Sequence, residues 1–130
     1  MDSTVNHTTV LVVEDNDELR QLMVLALVAH GCKPIEATNG QQAFQIARHR
    51  CPDIILMDIG LPVLDGLSAT QQIRGLGDAC QVPIVAVSAY NTPEQRKAAL
   101  DAGCDAFISK PVDPNQLNDV LGLFLPHKTA

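Results

Sequence analysis

Glu14, Asp15, Asp58, Ser88 and Lys110 each stand just after a short, largely apolar run: Val10-Leu11-Val12-Val13, Ile54-Ile55-Leu56-Met57, Pro83-Ile84-Val85-Ala86-Val87 and Ala106-Phe107-Ile108-Ser109. If those runs are strands of one parallel sheet, the residues that follow them gather at a single edge, where open α/β sheets hold ligands. Three carboxylates meeting there repel one another and raise each other's pKa values unless a cation neutralises them. Mg²⁺ suits such a group, because it takes hard oxygen ligands and keeps several waters, typically using one or two carboxylates plus a phosphate oxygen. A lysine and a hydroxyl beside it can hold the oxygens of an anion. Asp58, a lone carboxylate closing an apolar run, is the nucleophile of the set.

Each of these residues also has a plainer role. Asp is a common turn former, and Glu14 and Asp15 could simply favour the amino end of a helix dipole. Lys110, wedged between an apolar run and Pro111, could form a salt bridge to Asp58 that only stabilises the fold, and Ser after a strand is commonplace. Only their joint placement distinguishes a site from a set of surface residues, so the elements that position them decide the matter.

At 130 residues the chain is sized for one domain with its own core. Hydrophobic residues make up 46% of it but aromatics only 3%, so the core must be aliphatic, as in a parallel sheet buried on both faces. Residues 1–8 are polar and read as a loose tail. The spacing predicts strands at Val10–Val13, Lys33–Ala37, Asp53–Met57, Pro83–Val87 and Ala106–Ser109, with Pro34 confining the second to an edge. A first helix carries Leu19, Leu22, Met23, Ala26 and Leu27 at helical spacing and ends near Gly31. Asn39, Asp65, Thr92 with Pro93, and Asp113 with Pro114 open four more helices. Five strands alternating with five helices indicate a doubly wound parallel sheet with helices on both faces.

A formal charge of −6 argues against nucleic acid as a direct partner and favours cations. The longest apolar segment, Leu22 to Ala29, is far shorter than the roughly 20 residues of a membrane helix. Cys32, Cys51, Cys80 and Cys104 show no metal-ligand spacing. With no secretion signal they read as reduced, mostly buried residues of a cytoplasmic protein, a disulfide being the less favoured alternative. There is no phosphate-binding G-x-x-x-x-G-K-[ST] loop, and the second acid that a dehalogenase-type Asp nucleophile needs is replaced by Gly60.

Over residues 9–125 the chain resembles the receiver domain of bacterial two-component response regulators, in particular stand-alone, chemotaxis-regulator-like ones. The resemblance rests on Glu14-Asp15-Asn16 after the first strand, Asp58 with Leu61-Pro62 and Asp65-Gly66 behind it, Ser88-Ala89 after the fourth, and Phe107 followed by Lys110-Pro111. It implies a flavodoxin-like fold with sheet order 2-1-3-4-5. It implies that Asp58 accepts a phosphoryl group from a histidine kinase or a histidine phosphotransfer protein. Mg²⁺, with Mn²⁺ as a substitute, would bind through Asp15, Asp58 and the carbonyl of Gly60, and Glu14 would act through a coordinated water. Ser88 and Lys110 would hold phosphoryl oxygens, Phe107 would follow Ser88 as a packing switch, and the Lys110-Pro111 bond would be cis. The chain would catalyse only its own phosphorylation and slow dephosphorylation. The rival reading in the same fold is an interaction module that is never phosphorylated.

Two features fall outside that resemblance. Gly60 and Tyr90 are expected to tune the lifetime of the aspartyl phosphate, Tyr90 by partly covering it. On the first helix, with Leu19, Met23, Ala26 and His30 facing inward, Val24, Leu25 and Val28 fall outward as an apolar patch suited to a partner helix. With no output domain after Phe124 and only a short tail over 126–130, the signal is expected to leave by protein contact or onward phosphoryl relay.

Overall fold

The computed structural model of the chain describes residues 8–61 and 64–124. The tails expected at 1–8 and 126–130 fall outside these residues except for Thr8, as does Pro62. Within them, five strands, β1 (Thr9–Val13), β2 (Lys33–Ala37), β3 (Ile54–Asp58), β4 (Ile84–Ser88) and β5 (Ala106–Ser109), alternate with five helices. The helices are α1 (Asp17–Ala29), α2 (Gly40–His49), α3 (Gly66–Arg74), α4 (Pro93–Ala102) and α5 (Pro114–Phe124). All strand pairs are parallel, in the order β2-β1-β3-β4-β5, so the expected architecture and topology are those observed. Pro34 does lie on an edge strand.

Because side chains alternate across a strand, the continuous apolar runs feed two separate cores. Val10, Val12, Ile54, Leu56, Val85, Val87 and Ile108 pack against Met23 and Leu27 of α1 and Leu117, Val120 and Leu121 of α5. On the other face Leu11, Val13, Ile55, Met57, Ile84 and Ala86 meet Ala43 and Ala47 of α2, Ala69 and Ile73 of α3, and Ala99 of α4. Each fully buried Leu, Ile or Val contributes roughly 1.5–3 kcal/mol of transfer free energy, which fixes strand register and helix placement together. The caps at Asn39, Asp65 and Thr92 form as the sequence indicates, and Asn16 supplies a fourth, each accepting from the backbone N–H three residues on.

Three expectations are corrected. The third and fourth strands begin and end one residue later than the pattern indicated, so Asp58 and Ser88 are their last residues, Asp58 lying beside Val87 and Ser88 beside Ser109. On α1 Met23 and Leu27 are buried and Leu19 and Ala26 pack against the same core, but His30, expected inward, points to solvent. The run Leu22 to Ala29 is unbroken in its apolarity, so periodicity alone does not fix the inner face at that end of the helix. Finally, Cys51 and Cys80 form a disulfide and only Cys32 and Cys104 are free. They lie 29 residues apart, just before β3 and β4, and it is the pairing of those two strands that brings their Cα atoms to 5.3 Å.

Candidate functional site

The carboxyl ends of β1, β3, β4 and β5 converge on an acidic cleft of about 550 Å³, bordered by Glu14, Asp15, Asp58, Gly60, Ser88, Tyr90 and Lys110 among others. Carboxylate oxygens of Glu14, Asp15 and Asp58 all lie within 4.8 Å of one another. Glu14 and Asp58 are almost wholly buried, at 1% and 4% exposure, whereas Asp15 opens to solvent. Nζ of Lys110 sits 3.2 Å from Glu14 and 3.3 Å from Asp58. The expected Lys110–Asp58 pair is present, but the lysine is shared with Glu14, a partner that nothing in the local sequence signalled.

Backbone geometry aims each group. The N–H of Gly60 donates to Asp58 Oδ1 at 3.1 Å, and that of Asn16 donates to Glu14 Oε2 at 3.1 Å. Behind Asp58, Gly66 packs so closely that an added Cβ would overlap the Asp58 carbonyl. Ser88 Oγ accepts the Tyr90 N–H at 3.0 Å, leaving its own proton free to donate. The Lys110 N–H donates to the Ser88 carbonyl at 2.7 Å, and the Lys110-Pro111 bond is cis, as the resemblance implied.

Arg20 was not among the residues singled out from the sequence. From α1 it donates to the Glu14 carbonyl at 2.9 Å while pairing with Asp17 and Glu36, and so braces the acidic loop after β1. Its i, i+3 spacing from Asp17 hinted at one ion pair; the Glu14 and Glu36 contacts depend on the packing of α1 beside β1 and β2.

The electrostatics leave one acid unsatisfied. Burial, with the neighbouring Asp58 adding to it, pushes Glu14 up to about 7 despite the Asn16 N–H and Lys110. Burial alone would lower the Lys110 pKa, but Asp58 and Glu14 outweigh it and raise it. Glu14 Oε1 is buried and, although near Lys110, accepts no hydrogen bond of good geometry. An orphaned buried carboxylate oxygen beside two further carboxylates is a donor set that fits a hard divalent cation.

The remaining candidates are placed as follows. Gly60 is exposed and would have open space around an added Cβ. Tyr90 lines the cleft and is 70% exposed. Phe107 is half-buried on β5, with the Arg96 guanidinium 5.1 Å from its ring centre. Leu25 and Val28 are 65% and 55% exposed, as expected; Val24 is half-buried, and Leu22 joins the patch at 63%.

A family model described as the response regulator receiver domain matches residues 10–122. The chain belongs to this family. Among curated relatives, the polar-differentiation response regulator DivK of Brucella anthropi is 32% identical over 90% of this chain and 95% of its own. The receiver domain of the sensor histidine kinase PA1611 of Pseudomonas aeruginosa, solved with magnesium in its active-site cleft, is 34% identical with a TM-score of 0.84, covering 90% of this chain and 96% of that one. A similar fold, at 31% identity and TM-score 0.87 over 92% of this chain and 90% of the other, occurs in the co-crystal of the Saccharomyces cerevisiae phosphotransfer protein Ypd1 with the receiver domain of Ssk1. Among the described residues of this receiver domain, no helix is long and apolar enough to cross a membrane.

Proposed function

We propose that this receiver domain, with residues 9–125 as its functional unit, accepts a phosphoryl group on Asp58 from a phosphohistidine of a histidine kinase or histidine phosphotransfer protein. The observation that carries this reading is the buried Asp58 carboxylate held beside Glu14, Asp15 and Lys110 at the sheet edge. An Asp58 oxygen attacks phosphorus, the P–N bond breaks, and the histidine ring leaves. Phosphoryl transfer of this kind needs positioning and charge neutralisation more than covalent work from the protein. Asp15, Asp58 and the Gly60 carbonyl would hold Mg²⁺, Glu14 would act through a water, and Mn²⁺ would be an acceptable substitute. When bound, the cation supplies positive charge to the incoming phosphoryl oxygens.

The chain's own residues do the rest. Lys110, shared by Glu14 and Asp58 in the free protein, turns to a phosphoryl oxygen. Ser88 donates its free proton to another. Phe107 repacks as Ser88 moves, and Gly60 and Tyr90 set access of hydrolytic water. The donor protein docks on the α1 face that carries Leu25 and Val28, with Val24 at its margin. The protein acts in the cytoplasm, turns over no separate substrate, and passes its signal on through phosphorylation-dependent contacts or relay. The test is incubation with Mg²⁺ and acetyl phosphate followed by intact mass measurement. The chain should gain one phosphoryl group and Asp58→Asn none; no gain by the unmodified chain would leave the phosphorylation-independent reading in its place.

A further inference from the structure

The two bonded cysteines lie at the end of the sheet opposite the acidic cleft, so the phosphoryl chemistry does not account for them. Cys51 and Cys80 precede β3 and β4, whose far ends carry Asp58 and Ser88. Their Cα atoms are 5.3 Å apart, inside the range that a disulfide spans. The backbone around them is fixed independently by the ladder joining Ile55 to Ile84 and Leu56 to Val85, and by the N–H of Ile55 donating to the Pro83 carbonyl at 2.9 Å. The bond can therefore open and close without moving either strand. The two residues are also unequal: Cys51 is exposed, whereas Cys80 is buried at 2% exposure.

We propose that the Cys51–Cys80 pair is a reversible thiol-exchange site for low-molecular-weight thiols, with Cys51 as the sulfur they attack. The thiolate of the small molecule bonds to Cys51 Sγ as the Cys51–Cys80 bond breaks, and Cys80 leaves as a thiolate that takes a proton from water. A second small thiolate then attacks the small molecule's sulfur in that adduct, forming the small disulfide and releasing Cys51 as a thiolate that takes a proton from water. The protein disulfide gains two electrons and two protons, and two small thiols become one small disulfide. Accessibility selects Cys51, because exchange requires in-line approach to the attacked sulfur. The free Cys32 and Cys104 are poor competitors, since burial raises the pKa of both thiols.

Closing a loop between residues 29 apart restricts the unfolded chain, so opening the bond should lower Tm by about 10 °C. The experiment equilibrates the folded full chain in buffers of reduced and oxidised glutathione, quenches with acid, alkylates, and maps modified cysteines by mass. The expected result is a reversible transition in which Cys51 and Cys80 become alkylatable together, with the Tm loss following it. Cys80→Ser should trap a glutathione adduct on Cys51, while Cys51→Ser should leave Cys80 unmodified. The proposal is overturned if the pair stays closed in excess reduced glutathione, if it never closes in oxidised glutathione, or if Cys80 forms the adduct more readily than Cys51. Phosphorylation by acetyl phosphate is measured on the same samples and is independent of these outcomes.

Discussion

Replacing Glu14 by Gln keeps the shape of a side chain that is 1% exposed and removes its ability to ionise. The folded protein holds Glu14 at about 7 against an ordinary value of 4.5, chiefly through burial. A raised folded-state pKa means that the charged form is disfavoured in the native state. Without metal, the Glu14 contribution to stability is therefore fully present below about pH 4.5 and is lost as pH rises to about 7. At about 1.4 kcal/mol per tenfold change in proton affinity, the loss has a ceiling of about 3 kcal/mol. The value of about 7 already includes the attraction of Lys110, which lowers it. In chelator, urea titrations across pH 4–8 should show Glu14→Gln near parity at the acid end and about 1–3 kcal/mol more stable than the parent at pH 8. Adding Mg²⁺ should reverse the order: a cation at a hundredfold its Kd stabilises by about 2.7 kcal/mol, and the variant binds it less well. A stability difference that does not vary with pH, or a variant less stable at pH 8 in chelator, would refute the picture of an orphaned acid awaiting a cation.

Gly66→Ala should cost about 1–3 kcal/mol in urea unfolding, because the new methyl meets the Asp58 backbone; Gly60→Ala, with open space around its Cβ, should stay within about 0.5 kcal/mol. Leu25→Glu with Val28→Glu should slow phosphoryl transfer from a phosphorylated donor protein at least about tenfold, the equivalent of about 1.4 kcal/mol of lost docking, while leaving the reaction with acetyl phosphate unchanged. Equal loss in both assays would remove the docking role. Tyr90→Ala should shorten the aspartyl-phosphate lifetime measured by intact mass over time; an unchanged lifetime means that a side chain 70% exposed does not shield the site.

Much of the fold and site was legible along the chain because local signals agree. The apolar runs, the caps at Asn39, Asp65 and Thr92, and Pro34 on an edge strand each depend on near neighbours in sequence. Since every strand of a doubly wound sheet points the same way, naming the residue after each strand was enough to group Glu14, Asp15, Asp58 and Lys110. The third and fourth strands lie one residue later than composition indicates, at Ile54–Asp58 and Ile84–Ser88, because pairing with the neighbouring strand sets their bounds and polarity does not.

What remained hidden depends on separations that the sequence does not measure. Of the inner face expected for α1, Leu19, Met23 and Ala26 do meet the core and His30 does not; within the unbroken apolar run Leu22 to Ala29, docking on the sheet buries Met23 and Leu27 and leaves Leu22 exposed. Lys110 divides itself between Glu14 and Asp58, and Arg20 braces the Glu14 carbonyl, through distances set by helix and strand packing. The Cys51–Cys80 bond had no signature in spacing, because strand pairing closes its 29-residue gap. By itself the sequence determined which groups stand at the strand ends. Tertiary structure decided which of them are buried, which share a charge, and which sulfurs meet, because burial and proximity arise only when the strands pair and the helices pack.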